Sequence, residues 1–226
     1  LVFQTQSGGD IYLINADGTG LSHVTSGIDP QLSPDSTRIT YTRWEPNYEL
    51  YTINTDGTDA RAWAGNSRQM KSPTWTADGS KLIFSWQSGG RLEPRYGRID
   101  IMEAIMNEDG INVPHNAIGI EVEDGILKYT IPADAYWNLK EVDLNSGQLT
   151  DLPTERHSYG PTGHPNQANQ LIYRGNQGVA VHNLELGTDQ TITRDGRDHT
   201  PVISPDGAKI AVAYWQDDHW EVHTMN

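Results

Sequence analysis

Three histidines, His157, His164 and His199, stand at or just before runs with the character of β-strands. Imidazoles gathered from separate strands would suit a transition metal. Their spacing contains no tight ligand motif such as His-x-x-x-His, so ordinary polar histidines are the competing reading. Glu121, Glu123 and Asp124 form one acidic cluster and Asp217 with Asp218 another, either of which would offer carboxylates to Ca²⁺. Neither has EF-hand spacing, and a solvated acidic loop explains both. Cysteine is absent, which removes disulfides, thiolate metal sites and cysteine nucleophiles. The chain has no Gly-x-Ser-x-Gly elbow, no phosphate loop and no Gly-x-Gly-x-x-Gly. The stretch Asn15-Ala16-Asp17-Gly18-Thr19-Gly20 closes a hairpin instead of opening a helix. No catalytic residue and no cofactor is predicted.

The elements that must position these residues follow from a recurring phrase. Ser33-Pro34-Asp35-Ser36, Thr76-Ala77-Asp78-Gly79 and Ser204-Pro205-Asp206-Gly207 each precede a short apolar run. A second run then ends in Asn15-Ala16-Asp17-Gly18, Asn54-Thr55-Asp56-Gly57 or Asn107-Glu108-Asp109-Gly110. Two tight turns per unit, recurring at roughly 40–46 residues, mark a repeat architecture. Proline sets φ at the first turn position, aspartate bonds the backbone beyond it, and Asp-Gly favours a hairpin. The turn aspartates therefore have a conformational reading before any metal role.

Each unit resolves into four short runs, termed a to d. The second unit has Pro30–Ser33, Arg38–Thr42, Glu49–Asn54 and Ala60–Trp63, rich in Ile, Tyr, Thr and Trp. Runs such as Ile11-Tyr12-Leu13-Ile14 and Leu82-Ile83-Phe84 are apolar on both faces, as in sheets covered on both sides. The predicted fold is all-β: a β-propeller of six blades, mostly of four antiparallel strands, with incomplete terminal blades. A β-sandwich is the alternative, and it leaves the four-run repeat unexplained. The units lie near 1–27, 28–66, 72–116, 117–154, 158–196 and 198–226 of a single domain spanning 1–226.

The pattern Pro-x-hydrophobic-Ser-Pro-Asp-Gly, then Lys-Ile-Ala-hydrophobic, then Asp-Ile-Tyr with Asn-x-Asp-Gly resembles the TolB-type, WD-repeat-like blade. Pro201–Val212, Pro30–Tyr41, Pro73–Phe84 and Asp10–Gly18 carry the resemblance best; the fourth and fifth units carry it weakly. It implies a disc whose a strands line a central channel. Members of this family include periplasmic scaffold proteins and the gating domains of prolyl-oligopeptidase-like enzymes, and such repeats can also resemble metal-assisted polysaccharide lyases.

In a four-stranded meander the a–b and c–d turns share one rim, and the b–c and d–a loops share the other. The Asp-Gly turns crowd the first. The second receives Trp44, Tyr48, Trp86, Arg91, Arg95, Tyr96, Tyr136, Trp137, Tyr159 and Trp215. Trp, Tyr and Arg are enriched at binding hot spots, although each aromatic also has a packing role open to it. The expectation is a non-catalytic scaffold that binds a protein, peptide or glycan on this rim. The alternative is the propeller part of an enzyme, a gated hydrolase or a metal-assisted lyase using His157, His164 and His199.

Charge narrows the partners. A net charge of −14 disfavours nucleic acid and anionic membrane surfaces. No apolar run approaches the roughly 20 residues of a membrane helix. The chain begins Leu1-Val2-Phe3, without Met or a signal-like segment, which reads as a processed form or a piece of a larger chain or assembly. An extracytoplasmic location is expected from the resemblance.

Overall fold

The structure is a computed structural model. It describes every residue except 45–47, 66–68, 93–94, 108–109, 112, 114–116, 132–133, 156, 177 and 217–218, and describes only the backbone at 89–92, 95, 118, 131, 134 and 135. The described residues fold into six antiparallel sheets. The first holds β1 (Val2–Gln4), β2 (Asp10–Leu13) and β3 (Ser22–Ser26). The second holds β4 (Ile28–Leu32), β5 (Arg38–Arg43), β6 (Glu49–Asn54) and β7 (Arg61–Gly65), paired in chain order. As expected, the first sheet lacks an a strand.

Residues 70–151 depart from the expected units. β8 (Met70–Trp75) and β9 (Lys81–Leu92) begin a blade, and the chain then leaves it. It forms β10 (Arg95–Asp100), a short helix α1 (Ile101–Met106), β11 (Ile118–Glu123) and β12 (Ile126–Ile131). It returns as β13 (Asp134–Asp143) and β14 (Leu149–Asp151). β13 pairs along β9, from Asp134 opposite Leu92 to Asp143 opposite Lys81. The blade order is therefore β8-β9-β13-β14, and β10-β12-β11 is a separate three-stranded sheet inserted at the hairpin end. The units expected at 72–116 and 117–154 are thus not consecutive blades. The run at Asn138–Val142 joins the earlier blade because Leu139 and Val142 become wholly buried there.

The remaining chain regains the repeat. β15 (Tyr159–Gly163), β16 (Gln170–Arg174), β17 (Val179–Asn183) and β18 (Thr188–Thr191) form one sheet. β19 (Asp198–Ile203), β20 (Ile210–Gln216) and β21 (His219–Met225) form the last, without a d strand, as expected.

The core is divided among the joints between sheets. Ile11, Ile39, Tyr41 and Ile53 fill the first joint. Leu50 with Met70, Trp75, Phe84 and Trp86 fills the second. Ile83 and Leu139 meet Leu171 and Tyr173 in the third, and Ile172 and Val179 meet Ile203 and Val212 in the fourth. Five sheets are thereby stacked as blades through four joints, and among the described residues none of β10, β11 or β12 belongs to these clusters.

Each complete innermost strand carries the same kink. Asp29, Ser72, Gly160 and Thr200 precede Pro30, Pro73, Pro161 and Pro201, and all have positive φ (52°, 50°, 59° and 45°). The ladder register slips at each, between Ile28/Gln31, Lys71/Thr74, Tyr159/Thr162 and His199/Val202. A bulge frees a backbone N–H that needs another acceptor. The preceding blade supplies it: Asp29 N donates to Gln4 Oε1 (2.8 Å), Ser72 N to Asp29 Oδ2 (2.8 Å) and Gly160 N to Ser85 Oγ (2.9 Å).

Candidate functional site

The residue immediately before each kink occupies an equivalent place in its blade. These residues are Ile28, Lys71, Tyr159 and His199. The last three meet on the rim opposite the Asp-Gly turns. Tyr159 Oη lies 3.2 Å from His199 Nδ1. Lys71 Nζ sits 4.0 Å from the Trp137 ring centroid and 5.0 Å from that of Tyr159, a double cation–π contact.

Further rings extend this centre in both directions. His157 stands edge-on between Tyr136 (6.0 Å) and Tyr159 (5.4 Å). His199 meets Trp220 at 5.3 Å, and Trp220 meets Trp215 at 5.1 Å. The result is one ladder, Tyr136–His157–Tyr159–His199–Trp220–Trp215, crossing three blades. Trp220, 47% exposed, opens it near one end. Edge-to-face aromatic packing fixes ring orientation, so the ladder offers a preformed row of rings beside the Lys71 ammonium, with Trp220 the most exposed of them. Such a surface can stack on apolar faces and hydrogen-bond their polar edges.

The predicted site residues divide into groups. Tyr136, Trp137, Tyr159 and Trp215 come together here. Trp137 is 6% exposed and serves as the floor beneath Lys71. Trp86 is only 9% exposed and belongs to the joint between the second and third blades, where it packs in one cluster with Leu50, Met70 and Phe84. Trp44 is half-buried, its Nε1 donating to Met70 O (2.7 Å) across the same joint. Tyr48 is half-buried, with a φ of 51°. Tyr96, 83% exposed, lies on the inserted sheet. The side chains of Arg91 and Arg95 lie outside the described residues. Lys71 and Trp220 were not among the predicted site residues; their signal was position, Lys71 standing two residues before Pro73 as Tyr159 and His199 stand before theirs.

The histidine triad is not assembled. His164 lies at the other end of β15, in the turn rim, where its Nδ1 accepts from Asn166 N (3.2 Å). A Cβ on Gly207 would fall 2.8 Å from its ring. Among the described residues, no three His, Asp or Glu side chains gather as a metal site. Glu123 pairs with Lys128, and Asp217 and Asp218 lie outside the described residues.

The turn aspartates bond their own loops. Asp35 Oδ1 accepts from Ser33 Oγ (2.6 Å), Thr37 N (3.1 Å) and Thr37 Oγ1 (2.9 Å). Those donors, Ser33 first, lower its pKa to about 2. Asp17, Asp56, Asp78, Asp143 and Asp206 are lowered as well. One rim is consequently acidic, while Arg43, Lys71 and Arg197 lie toward the aromatic rim. Arg197 forks onto Asp195 through Nε (3.0 Å) and Nη2 (2.8 Å).

Comparison with solved structures places this arrangement. TolB from Acinetobacter baumannii superposes with a TM-score of 0.66 at 13% identity, covering all of this chain (100%) and 49% of TolB. The fold is a TolB-like β-propeller. An oligogalacturonate lyase in complex with manganese also shares it, with a TM-score of 0.55 at 12% identity over 95% of this chain and 53% of the lyase. No protein-family model matches the sequence. Two curated peptidases are similar to this chain. The uncharacterized peptidase YuxL of Bacillus subtilis is 25% identical over 212 residues, covering 86% of this chain and 30% of the peptidase. Dipeptidyl-peptidase 5 of Porphyromonas endodontalis is 24% identical over 242 aligned residues, covering 93% and 33%. The propeller thus spans about a third of the length of these relatives. Among the described residues, no helix is long and apolar enough to cross a membrane.

Proposed function

We propose that this chain is a non-catalytic binding propeller that holds a protein segment, peptide or glycan against its aromatic rim. The observation that carries the reading is the ladder from Tyr136 to Trp215 with Lys71 against its middle. Ladder side chains come from three blades, so a partner lying along it contacts several repeats at once. Aromatic side chains contribute much contact area for few rotatable bonds, which is why they dominate interface energetics. The resemblance to periplasmic scaffold proteins supports an extracytoplasmic setting, and the net charge of −14 supports partners other than nucleic acid.

The test is a binding screen of the chain against immobilised peptides and glycans, repeated with Trp220→Ala and His199→Ala. Loss of the captured ligand by both variants, with melting temperatures held, supports the rim. Retention of binding by both removes it.

A second reading is favoured by the curated relatives, both named as peptidases and each about three times as long as the matched segment. In that reading the rim guides peptides toward a catalytic module elsewhere in a longer protein. Rim variants of the longer protein would then raise KM for long peptides more than for dipeptide substrates.

A further inference from the structure

The inserted unit, residues 95–131, leaves several large apolar side chains on the outside. In α1 the small Ala104 is the buried residue, whereas Met102, Ile105 and Met106 are 63%, 60% and 73% exposed. Positions 102, 105 and 106 share one helix face. On the edge strand β11, Ile120 and Val122 are 54% and 62% exposed. Alternation puts them on one face and Glu121 with Glu123 on the other. Single exposed apolar residues are ordinary, but a helix with its large side chains outward and its alanine inward presents a contact surface.

Charge selects the occupant. The unit contains seven acidic residues against three basic ones; Glu103 stands in the first turn of α1, and Asp100 caps that helix, accepting from Glu103 N. A second copy would bring carboxylates against carboxylates and add one −14 chain to another. An anionic membrane would be repelled by the same charge. A segment with apolar anchors flanked by Lys or Arg satisfies both the apolar face and its acidic surround. Methionine adapts readily to the shape of such a segment. We propose that the inserted unit is a docking site for a basic amphipathic segment of a partner protein, separate from the aromatic rim and resting on different residues.

The experiment uses the whole chain and a fluorescein-labelled amphipathic Leu/Lys peptide as probe, read by anisotropy. One variant combines Met102→Ser, Ile105→Ser and Met106→Ser, and a second combines Ile120→Thr and Val122→Thr. The expected result is binding by the native chain, weakened about tenfold or more in the triple variant. A Leu/Glu peptide of the same pattern should not bind. Equal binding by the triple and double variants and the native chain overturns the proposal, as does equal binding of the Leu/Glu peptide. It is also overturned if the native chain elutes as a dimer that the triple variant converts to monomer, since a second copy would then be the occupant. If the triple variant melts early, the double variant decides by the same readouts.

Discussion

Asp29 and Ser72 are 43 residues apart, yet the Asp29 carboxylate accepts the backbone N–H of Ser72 at 2.8 Å and its hydroxyl at 3.3 Å. Both residues sit at the kink before a proline, one blade apart. The side chain freed by one bulge satisfies the backbone freed by the next, and Gln4 does the same for Asp29. The kinks link neighbouring blades while turning Lys71, Tyr159 and His199 to the rim.

Asp29→Ala should lower unfolding free energy by about 1–3 kcal/mol, because a part-buried N–H loses its acceptor. Asp29→Asn, which retains a carbonyl oxygen, should lose less. Urea denaturation of both variants checks this; equal losses would show that charge, not the acceptor, is what matters.

Lys71→Met should destabilise the chain by about 0.5–2 kcal/mol through loss of the ammonium over Trp137 and Tyr159. Its hydrophobic stem is retained, so the loss isolates the charge. The Trp emission maximum and the melting temperature should shift together, and a change in neither would count against the contact.

Trp86→Ala is expected to cost about 3–5 kcal/mol, as a core deletion does, since Trp86 fills the joint with Leu50 and Met70. Trp220→Ala, at the most exposed ring of the ladder, should change stability by less than about 1 kcal/mol. Thermal melts of the pair separate joint from rim. Similar losses in both would contradict the burial difference.

Acid should weaken the disc through its turns. Asp35 has its pKa lowered from 3.8 to about 2, so the folded state holds fewer protons than the unfolded state between these values. Its contribution is therefore fully present above about pH 4 and fades as pH falls toward 2. Asp17, Asp56 and Asp206 shift in the same direction and should add to the slope. In urea titrations from pH 5 to 2, Asp35→Asn should flatten the fall in stability relative to the native chain; an identical slope would refute the assignment.

Much of this was legible in local sequence. The Ser-Pro-Asp and Asn-x-Asp-Gly phrases announce their hairpins because proline φ, aspartate bonding and glycine at positive φ act within a few residues. The residues Ile28, Lys71, Tyr159 and His199 could also have been aligned by their distance to the next proline. The course of the chain after Leu92 could not. The runs at Leu127–Thr130 and Asn138–Val142 are equally suited to a strand, the first following a Gly-containing turn and the second preceding one.

Sequence alone determined the repeat, the turn chemistry and the all-β propeller. Only the tertiary structure decided that β13 pairs with β9 across the inserted unit and that Trp86 is joint while Trp220 is rim. It also decided that His164 faces away from His157 and His199. Turns are short-range and written in adjacent residues. Strand pairing and burial depend on which distant surfaces exclude water together, and Leu139 and Val142 reach full burial only between blades.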